Sequence, residues 1–244
     1  MGIISVWGAA LDKDNCLYKN PANYPQLFDE TAAHALVKLL DKTPDDIKFQ
    51  KLVSDAQRSY RETGSPVRQF ADQYDIPFEL LEAERHRLMP HQSIVPIPGL
   101  PAAMNRAIKK RGQQFNLTTH CHPNLGNRTI PHMGLDKIFN EESNVITLDV
   151  VGYDRMKHED PAMVIRASKN MGIGLDEMAF FEDSARNFIP IKDHDSRVQT
   201  VLITWGRDVQ KTAGIDHIFR DPLEAVNAMH PPERKTMVFA KSLR

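Results

Sequence analysis

The chain has 244 residues, 41% of them hydrophobic and 26% charged, a balance that excludes collagen-like, disordered and low-complexity classes. At roughly 150 residues per domain, that length fits one domain with an insertion or two small domains. Lys and Arg total 31 against 32 Asp and Glu, for a formal net charge of -1, so the basic excess of a nucleic-acid binder is missing and electrostatic steering to a membrane is weak.

The first predicted element is a strand over residues 3–11 (IISVWGAAL), an apolar and small run that stops at Asp12, as a buried strand of a parallel sheet does. The same stretch has no basic n-region and meets an aspartate early, so it does not read as a signal peptide. Val6, where Ser or Thr is needed, breaks the myristoylation pattern that Gly2 opens. A loop rich in Asn, Pro and Tyr follows over 15–26. Residues 27–94 carry apolar side chains at helical spacing, with Leu36, Leu39 and Leu40 in one stripe and Phe49, Leu52 and Val53 in another. Thr43-Pro44-Asp45-Asp46 has the cap residue, first-turn proline and acids of a helix start, and Pro66 and Pro77 start later helices in the same way. No strand pattern interrupts this block, which reads as all-helical.

From about residue 95 strands and helices alternate. Helices are predicted over 98–111, 122–133 (across Pro131), 161–171, 184–192 and 222–229, and strands over 114–119, 144–149, 178–181 and 200–205. That alternation predicts an α/β fold: a Rossmann-like parallel sheet with helices on both faces, the strand over 3–11 in the same sheet and the helical block inserted after it. The expected division is a core of residues 1–20 and 95–231, a helical insertion over 21–94 and a tail over 232–244. The basic tail behind the Pro-Pro break reads as frayed, with a homodimer contact as the alternative. Two cysteines, Cys16 and Cys121, do not make a disulfide framework, and a reducing cytoplasmic compartment suits them. No run approaches the ~18 apolar residues that span a bilayer.

In such sheets ligands sit outside the carboxyl ends of the strands. After the first predicted strand comes Asp12-Lys13-Asp14-Asn15-Cys16; after the second, Thr119-His120; after NVITLD, Lys157 ahead of a helix; after MAFF, Glu182-Asp183-Ser184. Taken alone each is weak, since D-x-D occurs by chance and a lysine before a helix is ordinarily solvated. Together they fit phosphoryl transfer through an aspartyl phosphate. Residues two apart on extended backbone project to one side, so Asp12 and Asp14 can both face a ligand, one to attack phosphorus and the other to move a proton. A hard divalent cation on Asp12 and Asp183, Mg²⁺ being the usual choice with oxygen ligands, would cancel the repulsion between carboxylate and phosphate. Thr119 and Lys157 would hold the equatorial oxygens.

These segments resemble the four motifs of the haloacid dehalogenase (HAD) superfamily: LDKDNCLY its D-x-D-x-T, NLTTH its strand ending in Thr or Ser, KHEDPAM its lysine motif, and FFEDSARN its acidic pair. The resemblance implies Asp12 as nucleophile and Asp14 as general acid/base. It implies Thr119, His120 and Lys157 around the phosphate. It implies Mg²⁺ on Asp12, the Asp14 main-chain carbonyl and Asp183, with Glu182 a further ligand or an orienting acid. Cys16 stands where Thr is usual, Lys13 where an apolar residue is common, His120 where many relatives carry Asn, and His158 in place of Pro; the Lys13 side chain is expected to point opposite to Asp12 and Asp14. Dehalogenases of the superfamily generally lack an acid at the Asp14 position, so its presence here favours phosphatase or phosphomutase chemistry.

The helical insertion sits where the family places its type-one cap. Tyr60-x-x-x-Gly64, the YDIPFELLEAERHRLMP segment and the DNCLY variant of the first motif are similar to the pyrimidine 5′-nucleotidase branch. That implies a nucleoside monophosphate or similar small phosphate ester held by cap residues Tyr60, Arg68 and His86, although Tyr60 and His86 could equally serve only to pack the helices. His120-Cys121-His122 has no second Cys/His cluster and reads as a loop lining the site rather than as a zinc site. Gly172-x-Gly174 reads as a helix C-terminal turn. The expected function is a Mg²⁺-dependent phosphatase acting on a small-molecule ester, without nucleic-acid polymer or membrane as partner. A phosphomutase or a catalytically silent binding protein are the alternatives.

Overall fold

The computed structural model describes residues 3–44, 48–140, 144–152 and 156–233. A six-stranded parallel sheet is ordered β4-β3-β2-β5-β6-β7, and a separate two-residue parallel ladder joins β1 to β8. In chain order, β1 (Ile4–Ser5) and β2 (Gly8–Asp12) precede four helices, α1 (Tyr24–Leu39), α2 (Phe49–Thr63), α3 (Arg68–Tyr74) and α4 (Phe78–Leu88). Then come α5 (Leu100–Arg111), β3 (Gln114–Thr118), α6 (Pro123–His132), β4 (Val145–Ile146), α7 (Leu148–Val151) and α8 (Ala162–Met171). The last elements are β5 (Met178–Glu182), α9 (Ile189–His194), β6 (Gln199–Ile203), β7 (His217–Phe219), α10 (Pro222–Ala228) and β8 (Met229–His230).

Period-two alternation along the strands feeds two cores. Leu11, Leu117, Phe181 and Ile203 point to one face, where Leu100 and Met104 of α5 and Val226 of α10 cover them. Ala10, Phe180 and Leu202 point to the other, under Met163, Val164 and Ala167 of α8. The strand β2 lies inside the six-stranded sheet and is fully buried, which accounts for its small residues. At Gly8 a Cβ would meet Ile173 Cδ1 at 2.7 Å and Met171 Sδ at 2.8 Å, so any larger residue there would displace the side chains at the end of α8.

The inserted helices form a cap with its own core, in which Leu36, Leu52, Val53, Val67, Phe70 and Leu81 are buried together. Leu39, Leu40 and Phe49, predicted on the same stripes, pack partly buried against that cluster. Lys19 and Val95 pair in an isolated antiparallel bridge where the chain leaves the sheet and returns to it. A smaller cluster of Met89, Cys121 and Leu125, packed against Tyr24 and Phe28, seals the seam between cap and core.

Several elements differ from expectation. The strand over 3–11 is two pieces, because the Val6 amide donates to His230 O and the Trp7 amide to Glu177 O, which breaks the ladder between them. The helix α1 starts at Tyr24, inside the expected loop. NVITLD is a strand only at Val145–Ile146, and Leu148–Val151 turns into a helix. The predicted helix over 184–192 is a 3-10 turn at Ala185–Phe188 running into α9. The edge strand His217–Phe219 was not predicted; three residues are too few for alternation to register. Asp45 and Asp46 of the predicted helix start, and all but the first two residues of the tail, lie outside the described residues.

Candidate active site

The strand order changes direction around β2: the chain runs outward through β3 and β4 and then crosses back to β5. This is the switch point at which a parallel sheet leaves a crevice at its carboxyl edge. Asp12, the last residue of β2, pairs with Thr118, and Glu182 ends β5 on the other side. A cavity of about 530 Å³ opens there, lined from the core by Asp12, Asp14, Asn15, His120, Lys157, Glu182 and Asp183, and from the helical cap by residues including Tyr60, Glu82, Arg85 and His86.

At its floor, oxygens of Asp12, Glu182 and Asp183 lie within 4.8 Å of one another. Asp12 and Glu182 are buried, and Lys157, itself only 5% exposed, donates from Nζ to Asp12 Oδ1 and, at 3.0 Å, to Glu182 Oε1. Three carboxylates thus face one ammonium. Burial raises the Asp12 carboxyl well above the usual range, and the neighbouring Glu182, Asp14 and Asp183 outlast the pull of Lys157. Burial and then Glu182 push Asp183 up to about 7, against a hydrogen bond from Asn15 Nδ2 at 2.6 Å. Such a set of hard oxygen donors with surplus negative charge suits a divalent cation. Glu182 is the most heavily engaged of the three: Oε2 accepts from the Asp183 and Ser184 amides at 2.9 and 3.1 Å, and Oε1 accepts from Asn187 Nδ2 at 2.6 Å.

Asp14 has a different environment. Lys13, with no exposed surface, donates from Nζ to Asp14 Oδ1 at 2.6 Å, so its side chain turns toward Asp14 and not away from it. The Asp14 charge acts on this ammonium more strongly than that of Asp12, Nζ also donates to Tyr18 Oη at 3.3 Å, and the hydroxyls of Tyr18 and Tyr24 join the same Asp14 oxygen. Burial alone would raise the Asp14 carboxyl, but the Lys13 charge and the Lys13 and Tyr18 hydrogen bonds outweigh it and hold Asp14 below its ordinary value. Thr119 is fully buried, donates to Asp14 Oδ2 at 3.3 Å and accepts from the Cys121 amide, so its hydroxyl serves this cluster and does not line the cavity.

Lys157 lies in a turn five residues ahead of α8, not at the helix start. Its amide donates to His120 Nε2 at 2.9 Å. Burial and then the Lys157 charge lower His120 far below the usual imidazole value, so its ring is neutral. Burial raises both thiols, Cys121 to about 11, which leaves them poor nucleophiles. Among the described residues no His/Cys metal cluster forms at His120-Cys121-His122; His122 instead caps α6, accepting from the Asn124 amide.

On the cap side, Tyr60 and His86 reach the cavity. Arg68 does not: its guanidinium lies 3.8 Å from the Phe78 ring centroid, over a separate surface hollow, because the short helix α3 turns it outward. Sequence reasoning passed over Phe28, Glu82, Arg85, Arg186 and Arg207, which also line the cavity. The one signal for the cap pair was the opposite charge of Glu82 and Arg85 at helical i, i+3 spacing.

The haloacid dehalogenase-like hydrolase family matches residues 8–195, and the chain belongs to that family. No curated protein matches the chain significantly. Among solved structures, a hydrolase from Pseudomonas syringae aligns at 18% identity over 91% of this chain and 97% of its own, with a TM-score of 0.56. A putative beta-phosphoglucomutase from Thermotoga maritima aligns at 16% over 90% and 96%, TM-score 0.54. CbbY from Rhodobacter sphaeroides, solved with phosphate, aligns at 17% over 90% and 96%, TM-score 0.58. At these identities the likeness is one of fold, a parallel sheet with helices on both faces. No helix among the described residues is long and apolar enough to cross a membrane.

Proposed function

We propose that this hydrolase is a Mg²⁺-dependent phosphatase of small phosphate monoesters that works through an aspartyl phosphate on Asp12. The observation that carries the reading is the meeting of Asp12, Asp14, Lys157 and Asp183 around one cavity. Mg²⁺ held by Asp12, Asp183 and the Asp14 main-chain carbonyl would screen the charge of the phosphate from the carboxylates. Asp12 attacks phosphorus and the bond to the ester oxygen breaks. Asp14 passes a proton to the departing oxygen, then takes one from the water that cleaves the acyl phosphate. The Lys13 ammonium favours the ionised Asp14 that the second step needs, and the negative charge of the arriving phosphate opposes it, which favours the protonated Asp14 of the first step. Lys157 balances charge on the transferring oxygens while staying tied to Asp12, and His120 steadies the Lys157 turn through its amide.

In this reading residues 21–94 are the cap that closes over the ester, residues 1–20 and 95–231 are the core, and 232–244 are a tail. Nucleoside 5′-monophosphates are the first esters to try, on the strength of the Tyr60-to-Gly64 and LDKDNCLY segments. The fold neighbour described as a putative beta-phosphoglucomutase keeps a mutase reading in view, and release of inorganic phosphate against formation of an isomeric ester separates the two. Purified protein with Mg²⁺ should release nitrophenol from p-nitrophenyl phosphate, and Asp12→Asn should not. An Asp12→Asn variant as fast as wild type would remove the nucleophile from this scheme.

A further inference from the structure

Arg85 is the unsettled side chain of the cap. It is 3% exposed, yet its Nη1 is buried without a hydrogen-bond partner. A buried donor left unpaired is costly, and native proteins keep few of them. The rest of the guanidinium is held tightly. Nε and Nη2 donate to Glu82 Oε2 at 2.9 and 2.6 Å, and Glu82 Oε1 accepts from Ser65 Oγ at 3.0 Å. The guanidinium carbon sits 4.4 Å from the centroid of the Phe28 ring, and Tyr60 meets that ring edge-on at 5.3 Å. All five residues line the cavity that holds Asp12 at its other end. One amino group of a neutralised ion pair is therefore buried without an acceptor, in a residue that lines the cavity beside an aromatic wall.

We infer that Arg85 is a specificity-determining residue whose Nη1 binds a neutral oxygen acceptor, a carbonyl or carboxamide, on the leaving-group part of the substrate. Glu82 cancels the charge of Arg85, so a second carboxylate set against Nη1 would meet the Glu82 charge at the same point, with Arg186 acting only from the Tyr60 side of the cavity. A neutral carbonyl meets no such opposition and fills the vacant donor. The Phe28 and Tyr60 rings offer the flat surface on which an unsaturated leaving group lies. An analogue without the acceptor leaves Nη1 unpaired in the complex, which is how a polar site rejects a ligand by more than the loss of one contact. The inference rests on the cavity being the ester site proposed above, and its test is a binding measurement that needs no turnover.

The probes are benzylphosphonate and its carbamoyl and carboxy derivatives, substituted at the meta or para position. Affinities are measured by calorimetry on the full chain with Mg²⁺, for wild type and for Arg85→Met, which keeps an apolar stem against Phe28. Wild type should bind a carbamoyl derivative at least about tenfold more tightly than the parent, and the carboxy derivative no better than the parent. In Arg85→Met the carbamoyl preference should fall below about threefold. Equal affinity for carbamoyl and parent in wild type, a carboxy derivative that binds best, a preference that survives Arg85→Met, or no binding of any probe would each overturn the inference. If Arg85→Met does not fold, the wild-type ranking of the three probes still decides. Hydrolysis of benzyl phosphate by wild type and its loss in Asp12→Asn are scored separately, so failure of the phosphatase reading is told apart from failure of the Arg85 assignment.

Discussion

The cavity has two charged ends that follow opposite rules. At the sheet edge, Asp12, Glu182 and Asp183 share one ammonium, and burial has raised two of these carboxyls. In the cap, Glu82 and Arg85 are as deeply buried but carry one charge of each sign, with Ser65 on the remaining carboxylate oxygen and the His86 ring against both partners. The first end is short of positive charge and suited to a cation and an anion arriving together. The second has none to spare and is suited to a neutral group. Burial is common to both, so the count of partners, more than depth, sets what each end can receive.

The contrast can be broken at either end. The largest effect is expected at the sheet edge: Asp12→Asn should lower turnover at least about a thousandfold in a steady-state phosphate-release assay, since an amide cannot serve as the nucleophile. In the cap, Glu82→Leu strands Arg85 as a buried unpaired cation. Breaking such a pair costs about 3–5 kcal/mol, to be read from urea unfolding. Glu82→Leu combined with Arg85→Met should recover most of that loss, because the two apolar side chains leave no buried charge.

Metal and pH sharpen the first end. Asp183 at about 7 in the folded chain lies above an unfolded carboxyl near ~4. The folded state therefore binds the extra proton between those values. In chelator, the stability this group contributes should be present at acid pH and decline as pH rises from about 4 through about 7, with Asp12 acting in the same direction. Added Mg²⁺ should raise the thermal midpoint little at pH ~5 and clearly at pH ~8, because protons and cation compete for the same oxygens. A Mg²⁺ effect that shrinks toward alkaline pH would contradict the charge count at the sheet edge. The smallest effect joins the two ends. Gly64, at φ +78, ends α2 where a Cβ would lie 2.9 Å from His158 Cε1, next to Lys157. Gly64→Ala should cost about 1–2 kcal/mol in thermal unfolding from the left-handed backbone alone. It should also raise KM as His158 is displaced.

The sequence by itself determined the layer architecture and the chemistry at the strand ends. A fully buried run such as GAALD admits few other places in an α/β protein, and the acids that follow β2 and β5 come to one edge because parallel strands all point the same way. The helical block was equally legible, since the Leu36 and Leu52 stripes belong to one apolar core and periodicity records exactly such one-sided burial. Tertiary structure alone decided which neighbours each charge meets. Lys13 turned to Asp14, whose charge acts on it more strongly than that of Asp12, and Thr119 was drawn to the same carboxylate and off the cavity wall. Arg68 went to a phenyl face while Arg85, one helix later, came to the cavity with a donor to spare. Periodicity states which face of an element is buried. It is silent about the long flexible side chains whose ends travel several bonds from the backbone, and in this protein those ends set the charge balance of the cavity.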